Sequence, residues 1–132
     1  MPKILIVEDE ASQRRALRES LAQKGFSILE AMDGVKGLGV ALREHPDIIL
    51  LDIRMPMMDG MTMMHKLRKD AWGKKAAVII LTNYDTNDNK LFQITIDRPS
   101  YYLIKSNSPI EQILEKIQEL LEANKKEMKD AA

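Results

Sequence analysis

Cysteine is absent from the sequence, and with it disulfides, thiolate nucleophiles and thiolate metal sites; a reducing compartment fits this composition. Histidine is scarce: His45 and His65 stand far apart, a poor basis for a histidine-dependent catalytic or zinc centre. No apolar run approaches the roughly 20 residues of a membrane span. Met1-Pro2-Lys3 ahead of a short apolar run lacks the pattern of a signal peptide, so a cytoplasmic protein with no membrane partner is expected. Charge of one sign is missing too. Twenty basic and twenty acidic side chains cancel, leaving no electrostatic footprint for nucleic acid or an anionic surface. Function must then arise at a local site. The 132 residues suffice for one core and not for two, and the expected division is a folded domain over 1–124 followed by a polar C-terminal tail over 125–132.

What is present is a set of short apolar runs that finish in polar residues. Ile48-Ile49-Leu50-Leu51 is entered through Pro46-Asp47, ends in Asp52 and is left through Arg54-Met55-Pro56, which predicts a strand buried on both faces. Lys3 to Val7 is a second such run, followed by Glu8-Asp9-Glu10. Phe26 to Ala31 and Ala76 to Leu81 supply two more, the latter leading into Thr82-Asn83, and Tyr101 to Ile104 a fifth, leading into Lys105. Between them lie amphipathic stretches. Residues 11–24 form the first, stopped by Gly25. Asp33 reads as the N-cap of the second, which closes at His45-Pro46 and is weakened by Gly37 and Gly39. A third runs from Met61 to Lys69; Met61, Met63 and Met64 read as core filler, with Met57 and Met58 in the loop before it as the exposed pair.

Residues 84–97 read two ways. Phe92, Ile94 and Ile96 alternate as in a strand, while the place in the series asks for a helix, and a helix is expected there. Ser108-Pro109-Ile110-Glu111 is a capping box with proline at the first helical position, and it opens a closing helix with Ile110, Ile113, Leu114, Ile117, Leu120 and Leu121 on one face. Strand and helix thus alternate five times. Short connections then imply right-handed crossovers and an α/β fold with a five-stranded parallel sheet.

In a parallel sheet all carboxyl ends lie on one side, so Glu8, Asp9, Asp52, Thr82 and Lys105 converge. Three carboxylates brought together repel unless a cation intervenes, and Mg²⁺ is the natural oxygen-liganded choice. A lysine and a hydroxyl beside them supply what three phosphoryl oxygens need, which makes Asp52 a nucleophile toward phosphorus. Each residue also has a structural role open to it: Glu8 and Asp9 beside a helix N-terminus, Thr82 on a backbone group, Tyr102 in the core, Lys105 in solvent, Asp52 as the start of a turn. Those roles do not explain why all five site residues fall at carboxyl ends.

Glu8-Asp9 after the first strand, Asp52 with Met55-Pro56 and Asp59-Gly60, Thr82, and Tyr102-Leu103-Ile104-Lys105 together resemble a response-regulator receiver domain of the chemotaxis type, over nearly the full chain. The resemblance implies a flavodoxin-like sheet of order 2-1-3-4-5 with helices on both faces. It implies that Asp52 accepts a phosphoryl group from a sensor histidine kinase or phosphotransfer protein. It further implies that Glu8, Asp9, Asp52 and the backbone carbonyl of Arg54 hold Mg²⁺, that Lys105 pairs with the phosphoryl group, and that Thr82 and Tyr102 move as the switch. The face formed by 84–97, the last strand and the closing helix is then the expected output surface of a stand-alone phosphorelay receiver. Ser106 replaces the family's usual proline, so the Lys105-Ser106 bond is expected trans. Asn83, Arg54 and Tyr84 also depart from the common pattern and bear on phosphoryl lifetime. Two other functions compete: an aspartate-nucleophile phosphohydrolase, which needs a second acid where Arg54 stands, and a phosphorylation-independent interaction module.

Overall fold

A computed structural model of the chain describes residues 1–53, 57–82, 101–104 and 110–131, with side chains at all of these except 82, 101–104 and 125–131. The element order is β1 (Lys3–Val7), α1 (Ala11–Gln23), β2 (Ser27–Ala31), α2 (Gly34–Glu44), β3 (Ile48–Asp52), α3 (Gly60–Lys69), a 3₁₀ turn (Gly73–Lys75), β4 (Val78–Thr82), β5 (Tyr101–Ile104) and α4 (Ile110–Ala131). The strands form one parallel sheet of order β2-β1-β3-β4-β5. The helix expected over 84–97, the capping box at Ser108 and the Lys105-Ser106 bond lie outside the described residues.

Why the strands are continuous apolar runs follows from what covers them. Successive side chains of a strand point to opposite faces, and here both faces are buried. Leu5, Val7, Ile49, Leu51, Val78 and Ile80 pack on one face against Ala41, Met63, Met64 and Leu67. Ile4, Ile6, Ile48, Leu50, Ile79 and Leu81 pack on the other against Leu21, Phe26, Ile113 and Ile117. Met63 and Met64 are fully buried, as their helical spacing implies.

Local chemistry sets the helix ends. Gly25 takes φ +91°, the left-handed turn that releases the chain from α1 into β2. The Asp33 carboxylate accepts from the Lys36 amide at 2.8 Å and caps α2. Asp33→Ala should cost about 1 kcal/mol, read as a lowered thermal midpoint with the circular dichroism spectrum of the folded protein unchanged. His45 ends α2 at φ 48°, and its ring stacks on Trp72, centroids 4.3 Å apart and planes within 5°. The Asp47 carboxylate accepts from the Lys3 amide at 2.7 Å, pinning the start of β3 to the start of β1.

Two expectations need correction, the exposed methionine pair and the start of β4. Gly37 does more than weaken α2: a Cβ there would meet Val7 and Met63 side chains at 2.9 to 3.1 Å, so the glycine lets the helix lie close on the sheet. Of the Met57-Met58 pair only Met57, 83% exposed, stands at the surface, while Met58 is half-buried against the core. β4 begins at Val78 and not at Ala76, because the Arg68 guanidinium takes the carbonyls of Gly73 (2.7 Å) and Ala76 (2.8 Å) and holds that stretch as a turn. α4 runs past Asn124 to Ala131, where Lys125, Lys126 and Glu127 are good helix formers. No helix among the described residues is long and apolar enough to cross a membrane.

Candidate metal and phosphoryl site

The parallel register brings the polar strand ends level. Val7 pairs with Leu51, so Glu8 stands beside Asp52, and Asp52 pairs with Leu81, one residue before Thr82. One carboxylate oxygen from each of Glu8, Asp9 and Asp52 lies within 4.8 Å of the others. Glu8 and Asp52 are 2% and 8% exposed while Asp9 is open to solvent, so the cluster has a buried floor and one accessible side. Glu8 is held through both its main chain and its carboxylate. The Glu8 amide donates to the Ala31 carbonyl (3.1 Å), its carboxylate accepts from the Glu10 amide (3.2 Å), and its carbonyl accepts from Arg14 Nη1 (2.8 Å).

Beyond Asp52 the chain turns back sharply. The Gly60 amide donates to the Ile53 carbonyl at 2.8 Å, and a Cβ on Gly60 would collide with the Asp52 carbonyl oxygen and lie 2.8 Å from Ile53 Cα. Asp59 caps α3 by accepting from the Thr62 amide at 2.8 Å. α3 therefore starts directly against the backbone of the residue that carries the central carboxylate.

Three acceptor-only carboxylates, two of them buried, are costly together without a positive charge. Hard oxygen donors of this kind suit Mg²⁺ or Ca²⁺ and not the soft or imidazole-seeking metals. Mg²⁺ fits the set best, because it binds through few carboxylates and keeps water on its open side. Of the residues the sequence singles out, Glu8, Asp9 and Asp52 converge, and the backbone places Thr82 at the adjacent strand end. The side chains of Thr82 and Tyr102, the Arg54 carbonyl and Lys105 lie outside what is described. Sequence reasoning missed Arg14 as a neighbour of the acid turn, since on α1 it reads only as part of a polar face. The signal is Glu30, the one charged residue of β2, with two arginines of α1 in reach.

The family described as response regulator receiver domain matches residues 4–120. Response regulator MprA of Mycobacterium leprae is 32% identical over 93% of this chain and 52% of its own length. The DNA-binding dual master transcriptional regulator RpaA of Synechocystis is 29% identical over 92% of this chain and 49% of its own length. The chain thus spans about half the length of the curated relatives it matches. Among solved structures, the chemotaxis protein CheY4 of Vibrio cholerae superposes with a TM-score of 0.82 at 27% identity, covering 91% of this chain and 98% of that one. A CheY-like receiver domain protein of Methanospirillum hungatei superposes with a TM-score of 0.87 at 26% identity, covering 96% and 98%.

Proposed function

Since the chain belongs to the response regulator receiver domain family, whose work is phosphorelay signalling, we propose that Asp52 is its phosphoryl acceptor. The observation that carries this reading is the convergence of Glu8, Asp9 and Asp52 within 4.8 Å at adjoining strand ends. An Asp52 oxygen attacks the phosphorus of a phosphohistidine on a sensor kinase or phosphotransfer protein. The P–N bond breaks, the imidazole departs with its electron pair, and an acyl phosphate forms on Asp52. Mg²⁺, when bound by Glu8, Asp9, Asp52 and the Arg54 carbonyl, supplies the charge that lets an anionic phosphoryl group approach three acids.

The remaining parts are the chain's own. Lys105 pairs with the phosphoryl oxygens, Thr82 donates a hydrogen bond to one of them, and Tyr102 follows Thr82 inward. The face built from 84–97, β5 and α4 then passes the change to an output partner, with 1–124 as the receiver unit and 125–132 as a polar extension. The chain catalyses only its own phosphorylation and dephosphorylation, in the cytoplasm, without contacting nucleic acid itself.

Incubation with acetyl phosphate, with and without Mg²⁺, followed by intact mass tests the reading. One phosphoryl adduct is expected, and only with Mg²⁺. Silence under both conditions would favour a phosphorylation-independent interaction module. Sustained turnover of unrelated phosphate esters would point to a hydrolase.

A further inference from the structure

Arg14 lies on the first turns of α1, its side chain 17% exposed, and its guanidinium is held from two directions. Nη1 donates to the Glu8 carbonyl at 2.8 Å, while Nε lies 3.4 Å from Glu30 Oε1 on β2. The other Glu30 oxygen accepts from Arg18 Nη1 at 3.2 Å, so Glu30 is itself fixed by a second cation. Arg14 is thereby kept beside the acid cluster without neutralising a carboxylate of it. What it holds is the peptide plane between Glu8 and Asp9.

We propose that Arg14 is a positioning residue for the metal: by fixing the Glu8 carbonyl it fixes the Glu8-Asp9 peptide, and so the direction from which the exposed Asp9 carboxylate meets Asp52. Asp9 needs such help more than its neighbours do. Glu8 and Asp52 are confined by burial, whereas Asp9 is open to solvent and has no side-chain partner to aim it among the described residues. An arginine suits the task because its planar fork can hold a carbonyl and a carboxylate at once. Glu30 is the brace that stops the guanidinium from swinging onto the acids.

The inference rests on the acid cluster being a Mg²⁺ site, and charge gives it a sharp test. Removing a cation from beside three carboxylates should, by Coulomb's law alone, tighten Mg²⁺ binding. Loss of positioning should weaken it. Calorimetric titration with Mg²⁺ alone, without any phosphoryl donor, on wild type, Arg14→Ala, Arg14→Lys and Asp9→Asn reads the sign directly. Thermal unfolding in Mg²⁺-free buffer identifies a temperature at which every variant is folded. Expected is a weakening of about 10- to 100-fold for Arg14→Ala, the scale usual for groups that orient metal ligands, and partial recovery in Arg14→Lys, which can still donate to the carbonyl. Unchanged or tighter binding by Arg14→Ala, with binding lost in Asp9→Asn, overturns the positioning role and leaves the metal site standing. Wild type that takes up no Mg²⁺ overturns the metal site and the positioning role with it.

Discussion

With asparagine at position 52, incubation with acetyl phosphate and Mg²⁺ is expected to leave the protein's mass unchanged, where wild type gains one phosphoryl group. The amide has nearly the carboxylate's volume, so the 8% exposed site at the end of β3 keeps its packing. It has lost the anionic oxygen, which is both the nucleophile and one of the three proposed metal ligands. Two readouts should therefore part company. The thermal midpoint without Mg²⁺ should be equal to that of wild type or higher, since one of three mutually repelling charges is gone. The rise in midpoint that Mg²⁺ gives wild type by binding only the folded state should be largely lost. An adduct on Asp52→Asn, or mapping of the wild-type phosphoryl group to Glu8 or Asp9, would show that Asp52 is not the acceptor.

Gly60→Ala should be a damaging methyl addition, and one that strikes the strand end carrying Asp52. The added Cβ would meet the Asp52 carbonyl and Ile53 Cα, both backbone, so no side chain can turn aside to admit it. Either α3 must move off the sheet or β3 must shift at its last residue. An overpacking cost of about 1 to 3 kcal/mol is expected, with weakened Mg²⁺ binding because the displaced residue is Asp52. Gly39→Ala on α2 is the control. Nothing lies within 4 Å of its Cβ, so the helix should gain about 0.5 to 1 kcal/mol from the better helix former. Parallel chemical denaturation of both variants reads the two signs, and a Gly60→Ala protein as stable as wild type would mean that the turn after Asp52 has slack.

Which parts of this molecule are legible in its sequence depends on how local their causes are. β3 is read to the residue, Ile48–Asp52, because burial on both faces leaves four apolar residues in a row and Pro46 and Pro56 bracket them. The acid cluster is legible for a topological reason, since parallel strands put all their carboxyl ends on one side. Contacts made at a distance are not. Arg68 captures carbonyls five and eight residues ahead and delays β4, and no propensity of Ala76 or Ala77 announces that. Met58 looks like its neighbour Met57 in sequence, yet only one of them meets the core. Gly37 and Gly39 are likewise twins by propensity, distinguished only by Val7 and Met63 lying opposite the first.

The paired arginines on Glu30 also bear on the edge of the sheet. β2 is the outermost strand on its side of the sheet, so beyond it the row of backbone donors and acceptors has no neighbouring strand among the described residues. Such a margin can recruit another chain, and an apolar strand there invites aggregation. In Ser27-Ile28-Leu29-Glu30-Ala31 the acid interrupts the apolar run, and Arg14 and Arg18 reach it from α1. Addition of a foreign strand would have to accommodate that charged bridge or break it. The residue that braces the acid turn is thus also the one charge on the sheet's edge strand, a placement of the kind that discourages edge-to-edge pairing.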